Sequence, residues 1–471
     1  MTDSPELSRR RWLMVAVFGY GTLAAAIFSF LFYQRQGVVA KVVDLNGFGA
    51  IARNIARGDG FSLGYGPTTR RGPLYPFFGA ALLKLFGNDA QGLPETVIYR
   101  PLLIANCVLF GITCVVVWRL ARTLFGAQTA LFAAIICPLV PQSLRYVGMT
   151  EVETSMGLCT VLLAATSLAL LRRPSAGTGA LFGAVAGVAT LTKPIVLLYP
   201  FMLLALALWQ WRRARALDRQ ALLGSVAALA CFGALLLPWM LRNMSVTGGQ
   251  FKGISSNGPG EFLRGYINAQ PKYYLLRQDF GGVGDGEKWD PEANLFEQNL
   301  LQPHGVTFYR AGRDANGNEI LTPEPPKGVT SAMMELEKDR VESAEVRRRV
   351  LQEPTGFLRK FAVQFLTFWY IVETRSKSIM VGALAALMLV LAGIGSWRAW
   401  RSGVVVWPVL AVLVYFNAIY AAFLGFARYS MPLFPTLTVL AAGGLAALLA
   451  PLTRRLQALR VRRGATETTT R

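Results

Sequence analysis

The sequence predicts an all-α protein that crosses a membrane many times. Three observations carry that reading. Of 471 residues, 53% are hydrophobic and 16% charged, where a soluble domain carries about 25% charged residues. The mean hydropathy is +0.39. The apolar residues fall into about ten runs, most of them long enough for the roughly 30 Å core of a bilayer. The excess of 48 Lys+Arg over 27 Asp+Glu gives a net charge of +21. These cations sit beside apolar runs, which points to membrane-flanking loops rather than nucleic acid. An aromatic content of 11% excludes disorder for most of the chain.

Taken in order, the expected spans are residues 12–33, 97–118, 126–144, 152–171, 178–192, 194–211, 220–241, 378–396, 403–424 and 432–452. Arg9, Arg10 and Arg11 precede the first, which is too long for a signal-peptide core and reads as a retained anchor. Pro194 divides the fifth from the sixth. With the N-terminus inside, pairs or clusters of arginine follow the second, fourth, sixth, eighth and tenth spans, as the positive-inside bias requires. That parity holds if Pro73–Phe86 and Phe357–Val372 lie along the outer interface as juxtamembrane helices. The chain then divides into an N-terminal membrane module (1–241) with a first outer loop (34–95), a long outer region (242–377), C-terminal spans (378–452) and a basic inner tail (453–471). Residues 464–471 are expected to be disordered. Residues 244–356 hold 16 acidic and 13 basic residues, so this region is nearly neutral. Its GGVGDG (281–286), ANGN (315–318) and PEPP (323–326) stretches read as turns, and Ser331–Leu351 as a charged helix.

Five cysteines lie within apolar runs without metal-binding spacing, and the lone His304 lies in a polar loop. Small apolar packing residues are the expected role of the former. Histidine-based catalysis and a histidine-rich metal site are thereby disfavoured.

Ionisable residues cluster at span ends on one side. Asp44 precedes Leu45, Phe48, Ile51, Ala52 and Ile55 at helical spacing, with Arg53 and Arg57 on the other face. This describes an amphipathic interfacial helix. Asp44 can cap it or act as a general base at the lipid–water boundary, and the two roles are compatible. The Gly58–Ser62 turn follows, then Arg70 and Arg71, which can clamp a phosphate or contact lipid headgroups. Glu151 and Glu153 sit at the start of the fourth span, where burying a carboxylate is costly and often functional. Being two residues apart, they project differently on a helix, so at most one is expected to reach a shared site. Lys193, Arg242 with Asn243, and Arg428 with Tyr429 stand at further outer helix ends. Several cations converging with acids on an outer face point to an anionic lipid substrate.

The ordered set Asp44-x3-Phe48-x2-Ile51-Ala52, Gly58–Ser62, Pro73-Leu74-Tyr75-Pro76, Thr150-Glu151, Thr192-Lys193-Pro194, Pro238-Trp239-x2-Arg242-Asn243 and Arg428-Tyr429-x2-Pro432 resembles the GT-C membrane glycosyltransferases. The similar branch is that of protein O-mannosyltransferases and lipid A aminoarabinose transferases. Phe48 stands where that branch favours Tyr, Gly72-Pro73 where Pro-Pro is commoner, and Lys193 where Arg is frequent. These departures bear on acceptor class. The resemblance implies a GT-C-like bundle of about ten transmembrane helices with outer juxtamembrane helices and a large periplasmic loop, in a bacterial inner membrane. It implies a polyprenyl-phosphate sugar donor and a glycan, glycolipid or protein acceptor. Asp44 and Glu151 take the acidic positions. Arg70 or Arg71, Lys193, Arg242 and Arg428 take the basic positions near the donor phosphate, with Tyr75, Glu153, Asn243 and Tyr429 lining the substrates. No cofactor is assigned, and a divalent metal held by Glu151 stays open. The rival reading, a transporter or flippase of lipid-linked sugars, calls for midplane charges and inverted repeats. Here the charges sit at span ends and no repeat is evident.

Overall fold

Among the described residues, seven helices are long and apolar enough to cross a membrane: Ser8–Leu31, Arg100–Phe125, Glu153–Arg172, Pro194–Arg213, Arg219–Val246, Arg375–Arg401 and Ala427–Pro451. Shorter apolar helices stand where the other three spans are expected, at Ala127–Leu139, Ala176–Thr192 and Trp407–Ala422. The computed structural model describes residues 5–36, 44, 46–87, 95–279, 290–313 and 319–469. The glycine-rich stretches at 281–286 and 315–318 lie outside them. The fold is the all-α membrane bundle that the sequence predicts, and the chain is a multi-pass membrane protein. Many large apolar side chains, such as Leu222, Val226 and Leu237, face outward, as lipid-facing positions do.

The expected span 126–144 is interrupted. Pro138 and Pro141 split it into the helix Ala127–Ile136, a tight turn at Cys137–Leu139 and the short helix Pro141–Leu144, because proline removes a backbone donor and crowds the preceding turn. The helices Ala176–Thr192 and Arg219–Val246 touch backbone to backbone. A Cβ on Gly179 or Gly183 would collide with the carbonyls of Gly224 and Ala228. Small residues every fourth position give this close contact. A second such seam joins Gly395 to Leu440 and Gly444.

The tail departs from expectation. The last helix continues through Thr469, so its backbone is helical over 464–469 as well. Leu, Arg, Gln and Ala after Pro451 are good helix formers.

The amphipathic helix of the first outer loop spans Phe48–Arg57 and starts three residues later than a cap at Asp44 would give. Gly47 at φ 73° and Gly58 at φ 95° bound it, both in the left-handed region that glycine tolerates. The helix Leu74–Leu85 packs on it. In the long outer region the described residues form the helices Gly258–Asn268, Asp290–Leu301, Ser331–Gln352 and Pro354–Thr367, with an antiparallel strand pair, Arg310–Arg313 and Glu319–Thr322, between the second and the third. The charged helix therefore forms where the sequence places it. It also returns to the first outer loop. Ser331 N–H donates to Tyr65 O (3.0 Å) and Ala332 N–H to Pro67 O (2.9 Å). Glu335 accepts from the hydroxyls of Thr68, Thr69 and Ser256 and from Thr69 N–H.

Candidate active site

The site forms where five separate segments end together. Asp44 lies just before the Phe48–Arg57 helix, and its two carboxylate oxygens accept from Gly49 N–H (3.0 Å) and Ala50 N–H (2.8 Å). It thus caps the helix from outside the capping position, satisfying donors that the first turn leaves open. Only 6% of it is exposed.

Two residues on, Asn46 reaches across the fold. Its Nδ2 donates to both oxygens of Glu151, at 3.0 and 2.9 Å. Arg71 holds Asn46 from behind: Nε donates to Asn46 O (3.0 Å) and Nη2 to Asn46 Oδ1 (3.2 Å). The guanidinium also lies over the Phe48 ring, 5.4 Å from its centroid. On the far side of Glu151, Arg428 Nη2 donates to Oε2 at 2.7 Å, while Arg428 Nε donates to Glu153 Oε1, also at 2.7 Å. Lys193 completes the line, 3.5 Å from Glu153 Oε1 and 4.4 Å above the Tyr429 ring, which stacks on Tyr420.

Both glutamates therefore reach the shared site, against the expectation that one would. The Glu153–Arg172 helix begins only at Glu153, and Thr150–Val152 is a turn. The turn swings Glu151 to the same guanidinium instead of rotating it away. Glu151 is fully buried and Glu153 is 3% exposed. Paired buried charges of this kind are balanced by mutual attraction and hydrogen bonds.

Burial raises the Glu151 carboxyl to about 7. Glu153 and Asp44 push the same way, while Arg428 and Asn46 oppose. Burial lowers Arg71 to about 10, helped by the Arg70 cation, so it stays charged at neutral pH. A carboxyl titrating near neutrality beside a second carboxylate and several cations is an arrangement suited to proton transfer next to an anionic leaving group. Among the described residues no three His, Cys, Asp or Glu side chains are grouped as a metal ion needs. The set around Glu151 does not fit a metal cage, since the Arg428 guanidinium occupies Oε2.

Other expected site residues stand apart. Arg242 donates to Thr68 O (2.6 Å), Phe61 O (3.0 Å) and Asn243 Oδ1 (3.1 Å), and stacks on Trp239. Asn243 Nδ2 donates to Gly253 O and Ile254 O. Both brace loop backbone, and among the described residues neither makes a hydrogen bond to the acids with which the sequence groups them. Tyr75 is 2% exposed, packs edge-on to Phe48 and shares its hydroxyl with Asn106, so it lies beneath the site as packing. Among the described residues the Arg70 guanidinium makes no hydrogen bond or ion pair. It is half-buried beside Arg71, within electrostatic reach of Glu297.

Residues that sequence reasoning passed over include Asn46, Asn106, Tyr146 and Glu261. Tyr146 lies beneath Arg428, its centroid 5.1 Å away. Glu261, on the Gly258–Asn268 helix, lies within electrostatic range of Arg71 and Tyr429. Asn106 was the most findable, a fully buried amide inside an apolar helix. Its Nδ2 donates to Met149 O at 2.8 Å and so braces the turn before Glu151.

Residues 70–239 match the sequence profile of the dolichyl-phosphate-mannose-protein mannosyltransferase family. No curated protein sequence matches the chain. Among solved structures the chain is similar to the archaeal oligosaccharyltransferase AglB from Archaeoglobus fulgidus in complex with an inhibitory peptide and a dolichol-phosphate. The TM-score is 0.52 at 15% identity, over 96% of this chain and 52% of that one. The apo form of the Archaeoglobus fulgidus oligosaccharyltransferase gives 0.54 at 15% identity, over 95% and 52%. ArnT from Cupriavidus metallidurans bound to undecaprenyl phosphate matches with a TM-score of 0.32 at 15% identity, over 86% and 74%. This chain spans about half the length of the oligosaccharyltransferase chains it matches. The chain shares the overall fold of the Archaeoglobus fulgidus oligosaccharyltransferase structures.

Proposed function

We propose that the protein transfers a sugar from a polyprenyl-phosphate-linked donor to a hydroxyl of an envelope glycan, lipid or protein, at the outer face of a bacterial inner membrane. The observation that carries this reading is the continuous line Arg71–Asn46–Glu151–Arg428–Glu153–Lys193, assembled from distant parts of the chain at the ends of apolar helices. Bilayer-anchored donors present their phosphate at that depth. The profile match over 70–239 and the GT-C fold support the same class of chemistry.

In this reading Asp44 takes the acceptor hydroxyl's proton. The two backbone bonds fix its orientation. The acceptor oxygen forms its bond to the anomeric carbon as the bond to the phosphate oxygen breaks, and the configuration inverts. The departing lipid phosphate carries away the electron pair and is stabilised by cations rather than by a general acid. Arg70 and Arg71 are assigned to it, with Lys193 and Arg428 nearby. Glu151, held by Asn46 and Arg428, orients the acceptor. The Gly258–Asn268 helix is assigned as the cover of the site, its Glu261 lying within electrostatic range of Arg71.

The test is purified full-length protein in lipid nanodiscs, given undecaprenyl-phosphate sugars and bacterial envelope glycolipid. Asp44→Asn is expected to remain folded and lose transfer. Undiminished turnover in a folded Asp44→Asn protein would eliminate the base. Donor that crosses the bilayer with no sugar transferred would favour the flippase.

A further inference from the structure

Glu153 commits only one of its oxygens to the cations. Oε1 takes both Arg428 and Lys193, while Oε2 is buried with no hydrogen-bond partner among the described residues. Glu153 also lines a cavity of about 10 Å³, together with Gln142, Ser143 and Thr154. Each of these three has a polar atom in the same condition: Gln142 Oε1, Ser143 Oγ and Thr154 Oγ1 are buried and unpartnered. The remaining wall is largely apolar, with Phe110, Met431 and Pro435 among its residues. Buried polar atoms are paired in the great majority of cases, so four orphans around one small hole form a pattern rather than an accident.

The donor and acceptor count identifies the occupant. Gln142 Oε1 and the Glu153 carboxylate oxygen can only accept, whereas the Ser143 and Thr154 hydroxyls can donate. One water molecule offers two donors and two acceptor sites, which answers all four atoms at once. The volume agrees, since a cavity of roughly 10–15 Å³ on this measure holds a single water. A metal cation fits less well, because Arg428 and Lys193 already place two positive charges against the same carboxylate.

We propose that this cavity is the binding site of one buried water, which ties Glu153 to Gln142, Ser143 and Thr154 and so holds the carboxylate on Arg428 and Lys193. The site joins the Pro141–Leu144 helix to the start of the Glu153–Arg172 helix. It holds Glu153 through the oxygen that Lys193 and Arg428 do not take. This inference goes beyond the proposed reaction and stands whether or not sugar transfer is found.

A structure of the full chain in nanodiscs, at a resolution that shows ordered solvent, decides it. The expected result is a single peak within hydrogen-bonding distance of all four atoms. An empty cavity with the four atoms paired to each other would overturn the proposal. So would a peak whose density strengthens when sodium is exchanged for rubidium. Thr154→Val should abolish the peak and lower the thermal midpoint, and Thr154→Ser should retain both. A Thr154→Val structure with the peak at full strength, or a Thr154→Ser variant as damaged as Thr154→Val, would also refute it.

Discussion

Two glutamates reach across the molecule to grip the first outer loop, and they do so with different partners. Glu335 binds the far end of the loop through neutral hydrogen-bond donors, two threonine hydroxyls, a serine hydroxyl and a backbone amide, with the Arg242 cation within electrostatic reach. Glu151 binds the near end through the Asn46 amide and shares the Arg428 cation with Glu153. The first arrangement is a fastener. Its carboxylate is held by hydroxyls and an amide that do not titrate near neutrality. The second is a balance of charges, buried and crowded, in which burial raises the Glu151 carboxyl to about 7. An acid aimed at a loop is therefore no sign of chemistry in itself. The company it keeps distinguishes the two.

The largest test of that comparison is Arg428. Arg428→Met leaves Glu151 and Glu153 buried without their shared cation, and breaking a buried pair in this way costs about 3–5 kcal/mol. Unfolding of the purified protein by denaturant should show that loss, with partial recovery in Arg428→Lys. A variant as stable as the wild type would mean that the two acids are not held by this charge. The fastener should respond more mildly. Glu335→Gln keeps one acceptor oxygen and is expected to cost about 1–3 kcal/mol, with the transfer rate per folded molecule unchanged. A selective collapse of the rate would erase the distinction between the two glutamates.

The third test is pH. Glu151 is faced by Asp44, Asn46, Arg71, Glu153, Lys193 and Arg428. Its folded carboxyl holds a proton up to about 7, while an unperturbed glutamate releases it near 4.5. The folded state then binds more protons over that window, so this group's contribution to stability falls as pH rises from about 4.5 to 7 and is constant outside it. Glu151→Gln should flatten that slope. If Glu151 works as an acceptor of hydrogen bonds, wild-type transfer should rise through about pH 7 and the variant should lack that rise. The smallest effect on stability belongs to Arg70. Arg70→Ala should change stability by less than about 0.5 kcal/mol while raising the KM for the lipid-linked donor several-fold. An unchanged KM would release Arg70 from the donor phosphate.

Much of the membrane architecture was legible because lipid demands long apolar helices and short basic loops. The proline-broken span at 126–144 and the helical tail were not, since both depend on local backbone choices inside runs of permissive composition. Asp44, Glu151, Lys193 and Arg428 could be picked out as charges at the ends of apolar helices. Asn46 could not, because an amide two residues from an acid looks like any turn until Glu151, 105 positions away, is brought beside it. Arg242 misled for the opposite reason. An outer-face arginine reads as an anion binder, yet carbonyls from Phe61 and Thr68 accept from both of its terminal nitrogens, and no residue pattern announces which carbonyls will be near.

The glycine seam between the Ala176–Thr192 and Arg219–Val246 helices has a bearing on how an isoprenoid could arrive. Where even a methyl group would strike a carbonyl, a branched hydrocarbon tail finds no doorway, and that flank is sealed along its glycines. On the proposed reading, a lipid-borne sugar docks from another quarter of the bundle.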